Sequence, residues 1–192
     1  VLAGSAITEH GDSAFLAARV DSSGELDTSF DADGYVVVDF GQLRDEAFDL
    51  HIDDNGSLTL TGFSQDQINL DLEIALARLT SSGALDTSFS QDGLTRVEWT
   101  GGDDNAYGRL PLPEGKFLVP VARSIQQGQE LSLAPFGGDG TLTGLYTKII
   151  NTPPQIILAA PASVDEGASH VVGVTLVDVH DAITAWGINW GD

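Results

Sequence analysis

Residues 22–30 read "SSGELDTSF" and residues 81–89 read "SSGALDTSF". Asp86 follows Asp27 by 59 positions, and at that offset "FLAARVDSSGELDTSFDADG" (15–34) lies over "IALARLTSSGALDTSFSQDG" (74–93). "DEAFDL" (45–50) then lies over "DNAYGR" (104–109) and "DNGSLTL" (54–60) over "PEGKFLV" (113–119), with Gly24/Gly83, Gly34/Gly93 and Gly56/Gly115 in step. A third, degraded copy, "ELSLAPFGGDGTL" (130–142), matches "EIALARLTSSGAL" (73–85) at an offset of 57; its continuation "TGLY" has lost the DTSF letters. The array is expected to end there.

Within one period, "EAFDLHI" (46–52), "SLTLTGF" (57–63), "DLEIALARL" (71–79) and "LTRVEWT" (94–100) alternate or cluster apolar residues. Turn chemistry separates them, in "DDNG", "SQDQIN" and "SSGALDTSFSQDG". No segment keeps a helical period. Four short strands in about 59 residues make one blade of a β-propeller, a four-stranded sheet set around an axis. Such a unit must bury its apolar face against a neighbour, here with Val36, Val38, Phe48, Leu50, Leu58, Leu60, Ala75 and Ala77. Slightly more than two full repeats cannot close a ring, so an open arc with exposed end faces is expected.

The repeated nonapeptide reads first as a corner. Gly24 is free to take positive φ, Leu26 and Phe30 are expected to plug the connection, and Asp27 and Thr28 can accept from nearby backbone N–H groups. The competing reading is a cation site in each blade, at Asp27 and Asp33 and at Asp86 and Asp92, because oxygen-rich loops with glycine bind Ca²⁺. The alternating acids and closing Glu of an EF-hand loop are absent.

Twenty-nine Asp and Glu against eight Lys and Arg give a formal charge of −21, which repels phosphate backbones and disfavours nucleic acid as a partner. No run approaches the roughly 18 apolar residues of a membrane helix, so no membrane insertion is expected of this chain. Without cysteine there is no disulfide, thiolate site or cysteine nucleophile. Without methionine, and starting "VLAGSA" like the second half of a strand, the sequence reads as a fragment of a longer protein.

The series "FLAARVDSSGELDTSFDADGYVVVDF" and "DEAFDLHIDDNGSLTLTG" resembles the delta-60 repeat, a bacterial repeat found in tandem in large proteins that are usually exported. The resemblance covers about residues 1–145 and brings no catalytic residues to carry over; the third copy departs from it in lacking the corner Asp. After "IINTPP", the segment ending in "WGD" is similar to the opening of a PKD-type or related immunoglobulin-like domain. The expected fold is therefore all-β: tandem four-stranded antiparallel blades of a partial β-propeller over residues 1–150, then part of an immunoglobulin-like sandwich over 151–192. In that second segment Glu166, Asp178 and Asp181 are further Ca²⁺ candidates, though three carboxylates fall short of the six to eight oxygens Ca²⁺ takes.

His10, His51, His170 and His180 form no H-x-x-H pair, and "GFSQD" (62–66) is no nucleophile elbow. Trp99 stands where the earlier copy has Phe40 and reads as a core plug; Trp186 and Trp190, four apart, share one side of a strand. The expected function is a non-enzymatic structural or interaction module of a secreted or cell-surface repeat protein, serving adhesion, ligand display or spacing. Its partners would be other repeats and domains of the same polypeptide and an extracellular protein or glycan, with no cofactor beyond the candidate Ca²⁺. The alternative is an accessory, non-catalytic region of a secreted multidomain hydrolase.

Overall fold

The computed structural model describes residues 1–98, 102–125, 128–144, 147–148, 155–159 and 173–177. The strands are β1 (Leu2–Ile7), β2 (Ser13–Ala18), β3 (Tyr35–Val38), β4 (Arg44–Ile52), β5 (Leu58–Gln65), β6 (Leu72–Leu79), β7 (Leu94–Val97), β8 (Asp104–Ala106), β9 (Leu110–Pro111), β10 (Phe117–Ile125), β11 (Gly128–Phe136) and β12 (Thr147–Lys148), and β4 to β7 fall on the four segments that alternation picks out. The one helical turn among the described residues is 3-10, at Pro113–Gly115. The protein is thus all-β. By compactness the chain divides into Val1–Ile149 and Ile150–Asp192. In the second unit an antiparallel pair is described, β13 (Gln155–Ala159) with β14 (Gly173–Val177).

Three blades make up the first unit. β4–β5–β6–β7 form a complete antiparallel meander, the second blade. The first blade has β2 between β1 and β3, and the third runs β8 and β9, β10, β11, β12. One parallel bridge, Ser13 to Arg44, ties the first two blades by backbone.

The sequence of β6 shows why blades stack. In "EIALARL" both sides of the strand are apolar, the mark of a strand buried on two faces. Ala75, Ala77 and Leu79 join one core with Phe15, Ala17, Phe30 and Val38 of the first blade and Ala47, Leu58 and Leu60 of the second. Ile74 and Leu76 join another, with Phe89, Ala106, Phe117, Val119, Val121, Ala134 and Phe136. The second core is the first translated by one repeat, so each seam between blades repeats the last.

Two expectations change. Phe48 leaves the apolar face because a β-bulge between Ala47 and Asp49 breaks the alternation; Ala47 takes its place in the core and the ring stands 46% exposed. By its alignment with "GQLRDEAFD" of the preceding repeat, "TGGDDNAYG" (100–108) reads as a connection between blades, yet β8 begins within it at Asp104, as the counterpart of β4. Trp99, Trp186, Trp190, His170 and His180 lie outside the described residues.

Candidate functional site

The corner after β2 is built from the nonapeptide. Leu26 bridges Val20, the Phe30 N–H donates to the Asp27 carbonyl at 2.9 Å, and Gly34 closes on the Phe30 carbonyl at 2.7 Å. Phe30 is fully buried as expected; Leu26 is 48% exposed, because its bridge to Val20 holds it on the outer side of the corner. Asp31 and Ala32 are left-handed, with φ 50° and 68°, and Ser90 and Gln91 repeat this at 51° and 74°.

The decisive side chain is an arginine that sequence reasoning passed over. Arg19 donates through Nε to Asp27 Oδ2 at 2.8 Å, through one terminal nitrogen to Ser29 Oγ at 2.7 Å, and through the other to the Ser81 carbonyl of the next blade's corner at 2.6 Å. Its guanidinium lies 4.9 Å from the centroid of Phe30. One repeat later Arg78 does the same with Asp86 (2.8 Å), Ser88 (2.9 Å), the Gly138 carbonyl (2.6 Å) and Phe89 (4.9 Å). A backbone bond runs beside each: Asp31 N–H to Ser82 O at 2.8 Å, and Ser90 N–H to Asp139 O at 2.7 Å. Each corner is clamped to the next. The signal was present in the sequence as an arginine recurring at the repeat offset.

The clamp accounts for two of the cation candidates. Asp27 Oδ1 accepts from the Ser29 N–H and hydroxyl while Oδ2 takes Arg19; the serine bonds, then the guanidinium, hold its carboxyl below the ordinary value. Asp86 is lowered in the same way by Ser88 and Arg78. Asp33 and Asp92 cap turns, accepting from the Tyr35 and Leu94 N–H groups at 3.2 and 2.9 Å. Among the described residues no three carboxylate or imidazole groups converge on a metal position. Glu166, Asp178 and Asp181 lie outside the described residues.

A second repeated feature is a buried acid row. Asp45, Ser64 and Glu73 stand opposite one another across β4, β5 and β6, and Asp104, Arg123 and Glu130 occupy the same row of the third blade. Burial pushes the Asp45 and Glu73 carboxyls above their ordinary values, and Arg96 pulls Glu73 partly back through an ion pair of 2.5 Å. The cation comes from β7 in one blade and from β10 in the other, with Arg123 3.8 Å from Asp104.

The least repetitive feature is a groove of about 400 Å³ lined by His51, Asp53, Asp54, Arg109, Leu112 and Lys116, between homologous turns of the second and third blades. Arg109 stands where the preceding repeat has Leu50. Its side chain is 5% exposed, pairs with Asp53 at 2.7 Å and lies 4.5 Å over the Phe117 ring. His51 Nε2 is 3.4 Å from the same Asp53 oxygen. Nearby, bulged Phe48 stacks on Tyr107, its counterpart one repeat on, at 5.6 Å between centroids; both remain about half exposed. An aligned pair of repeats shows Arg109 as the odd residue in an apolar column. The arrangement offers a polar ligand a guanidinium, an ammonium, two carboxylates and an aromatic ridge.

The curated proteins contain no match to this chain. A family model described as "Domain of unknown function (DUF5122) beta-propeller" matches residues 55–89, which run from the β4–β5 turn through β5 and β6 to the buried Phe89 of the second corner, the stretch that builds one seam and its clamp.

Proposed function

We propose that residues 1–149 are a non-catalytic interaction module: a run of propeller blades, rigidly joined, that presents the groove over Arg109 and the Phe48–Tyr107 ridge to a hydroxyl-rich ligand such as an extracellular glycan. The observation that carries this reading is the clamp. The chain's arginines at successive corners, and the carboxylates they engage, are spent on holding one blade to the next, as a display scaffold requires. Aromatic faces suit the apolar face of a sugar, and the paired Arg109 and Asp53 suit hydroxyls that both donate and accept. The charge of −21 favours a neutral or basic polymer over an anionic one. In this reading the parent polypeptide is exported, and residues 151–192 begin a PKD- or immunoglobulin-like domain.

The test is a panel of neutral and basic polysaccharides incubated with the full chain, followed by pull-down and by assay for released reducing ends. Binding without release, weakened by Tyr107→Ala, is the expected result. Release of product that disappears in Arg109→Leu would overturn it.

A further inference from the structure

The two turns that line the groove are homologous in sequence but carry different chemistry. At the repeat offset Asp53, Asp54 and Ser57 of the second blade lie over Leu112, Pro113 and Lys116 of the third, and Leu50 lies over Arg109. One turn therefore brings two carboxylates to the groove, and the other a guanidinium, an ammonium and an apolar step at Leu112. Residues that shape a blade recur from one repeat to the next, as the corner Arg, Asp, Ser and Phe do. These residues depart from the repeat together and in one place.

Arg109 is held from three sides. Its backbone N–H donates to Asp49 at 3.2 Å, its Nη1 donates to Asp53 Oδ1 at 2.7 Å, and Phe117 covers one face of the guanidinium. Among the described residues the buried Nε has no hydrogen-bond partner, and Nη2 donates to none of them either. Nε–H and Nη2–H make up one edge of the guanidinium fork, the kind of edge that grips a single acceptor with two donors. A buried donor left unpaired is costly, so this edge favours any ligand that brings it an oxygen. Beside it, Asp53 Oδ2 and the Asp54 carboxylate accept no hydrogen bond from a described residue.

Charge does not choose the ligand here. Two acids, Asp53 and Asp54, face two bases, Arg109 and Lys116, and Lys116 is itself paired with Glu114 at 2.8 Å. What the groove offers is a donor edge from one blade, free acceptors from the other, and apolar surface at Ile52 and Leu112, 52% and 40% exposed. A secondary amide answers all three, because its trans form points C=O and N–H in opposite directions. An acetamido group adds a methyl. We infer that the groove selects N-acetylated amino sugars, a choice that rests on the glycan reading above and narrows it: the Nε–Nη2 edge of Arg109 takes the acetamido carbonyl, Asp53 or Asp54 accepts the N–H, and the methyl lies against Ile52 and Leu112. A second hollow of about 360 Å³ shares Asp53, Asp54, Arg109 and Gly115 with the first, of about 400 Å³. The ion pair thus sits midway along a trough long enough for more than one sugar.

The test is calorimetric titration of the full chain with N,N′,N″-triacetylchitotriose, with its deacetylated form, and with cellotriose. The acetylated trisaccharide should bind about tenfold more tightly than cellotriose, the ratio expected for one bond to a charged donor. Arg109→Leu should bring the two affinities together, and so should Arg109→Lys, which keeps the charge but offers no two-donor edge. Because the readout is a ratio measured on one folded protein, a loss of stability in a variant does not imitate the result, and the Tm of each variant confirms that it is folded. Equal affinity for cellotriose in the native chain would overturn the inference and leave the glycan reading standing. Tightest binding of the deacetylated form would overturn it too, since the carboxylates would then choose an ammonium without Arg109. A preference for the acetylated sugar that survives in Arg109→Leu or Arg109→Lys would likewise sink it. Binding of none of the three would remove this inference and count against the glycan reading as well.

Discussion

The two seams of this protein solve one packing problem with different side chains. Between the first and second blades the large groups are Phe15 from one side and Leu58 and Leu79 from the other. Between the second and third blades their counterparts are Ile74 on one side and Phe117 and Phe136 on the other, these two rings stacked at 5.4 Å. At these three positions the engaging blade loses a ring and the receiving blade gains two, while Ala17 gives way to Leu76 and Leu60 to Val119, so a core of fixed density accommodates drift in a repeat by exchanges on both sides of the seam. What does not drift is the corner phenylalanine, Phe30 or Phe89, buried at 0% exposure with an arginine over it. The comparison teaches that seam identity lies in the corner and seam volume in the strands.

The largest expected effect tests that division. Phe89→Ala and Phe30→Ala should each cost about 3–5 kcal/mol, the range for truncating a buried aromatic ring, measured by urea unfolding. Ile74→Phe should cost less, about 1–3 kcal/mol of overpacking, and should be relieved when Phe117→Leu is made beside it. Additive rather than compensating effects at Ile74 and Phe117 would break the claim that the strands trade volume.

Arg109 sharpens the comparison, since it is the charged residue of the second seam where the first has a leucine. Arg109→Ala leaves Asp53 facing His51 alone and opens space under Phe117. A cost on the order of 2 kcal/mol is expected, below the value for a fully enclosed pair because Asp53 keeps some water. Arg109→Leu restores the first seam's residue and should be near neutral or stabilising. If leucine costs as much as alanine, the guanidinium is structural rather than a concession to the groove.

Much of this was legible in the letters. The 59-residue period placed the blades and corners, and alternation placed β4, β5 and β6 within two residues of their ends. Periodicity could not foresee the bulge that turns Phe48 out, because an inserted residue resets the two-residue rhythm without changing residue type. Leu26 misled for a related reason: an apolar residue in a corner reads as a plug, yet a single bridge to Val20 keeps it outside. Among the site residues, Asp27 and Asp86 were singled out as cation candidates, while the arginines they meet, Arg19 and Arg78, were not singled out. A carboxylate in a turn looks the same whether a cation or a guanidinium eight residues upstream will meet it.

The clamp itself predicts a smaller, pH-dependent effect. Asp27 and Asp86 have folded pKa values below the ordinary 3.8, so the stability they add is fully present above that pH and is lost as pH falls through the lowered values. Asp45 and Glu73 have raised values, so acidification first protonates them in the folded state and adds stability as pH falls toward the ordinary 3.8 and 4.5. Stability should rise slightly on acidification from neutral pH and then fall below about pH 3.8. Asp86→Asn should cost about 1 kcal/mol at neutral pH and flatten the acid limb. A flat profile from neutral pH in the native chain would show that Asp45 and Glu73 contribute nothing net, and an unaltered acid limb in the variant would show the same of the Asp86 carboxylate with its Ser88 and Arg78 bonds.

The smallest expected effect is that of Ca²⁺ on the corners, which is none. An ion at Asp27 would have to displace the Ser29 N–H and hydroxyl from one oxygen and Arg19 from the other, and the freed guanidinium would lose its hold on the Ser81 carbonyl. Binding would thus cost a seam contact as well as three hydrogen bonds, and Asp86 poses the same obstacle through Ser88, Arg78 and Gly138. Adding millimolar Ca²⁺ should leave Tm unchanged, since only an ion that binds the folded form more tightly can raise it. A rise abolished by Asp27→Asn together with Asp86→Asn would mean that the arginines swing away and that the two corners are ion-linked after all. A rise that survives those substitutions but not Glu166→Gln would instead place the ion in the second unit and leave the clamp intact.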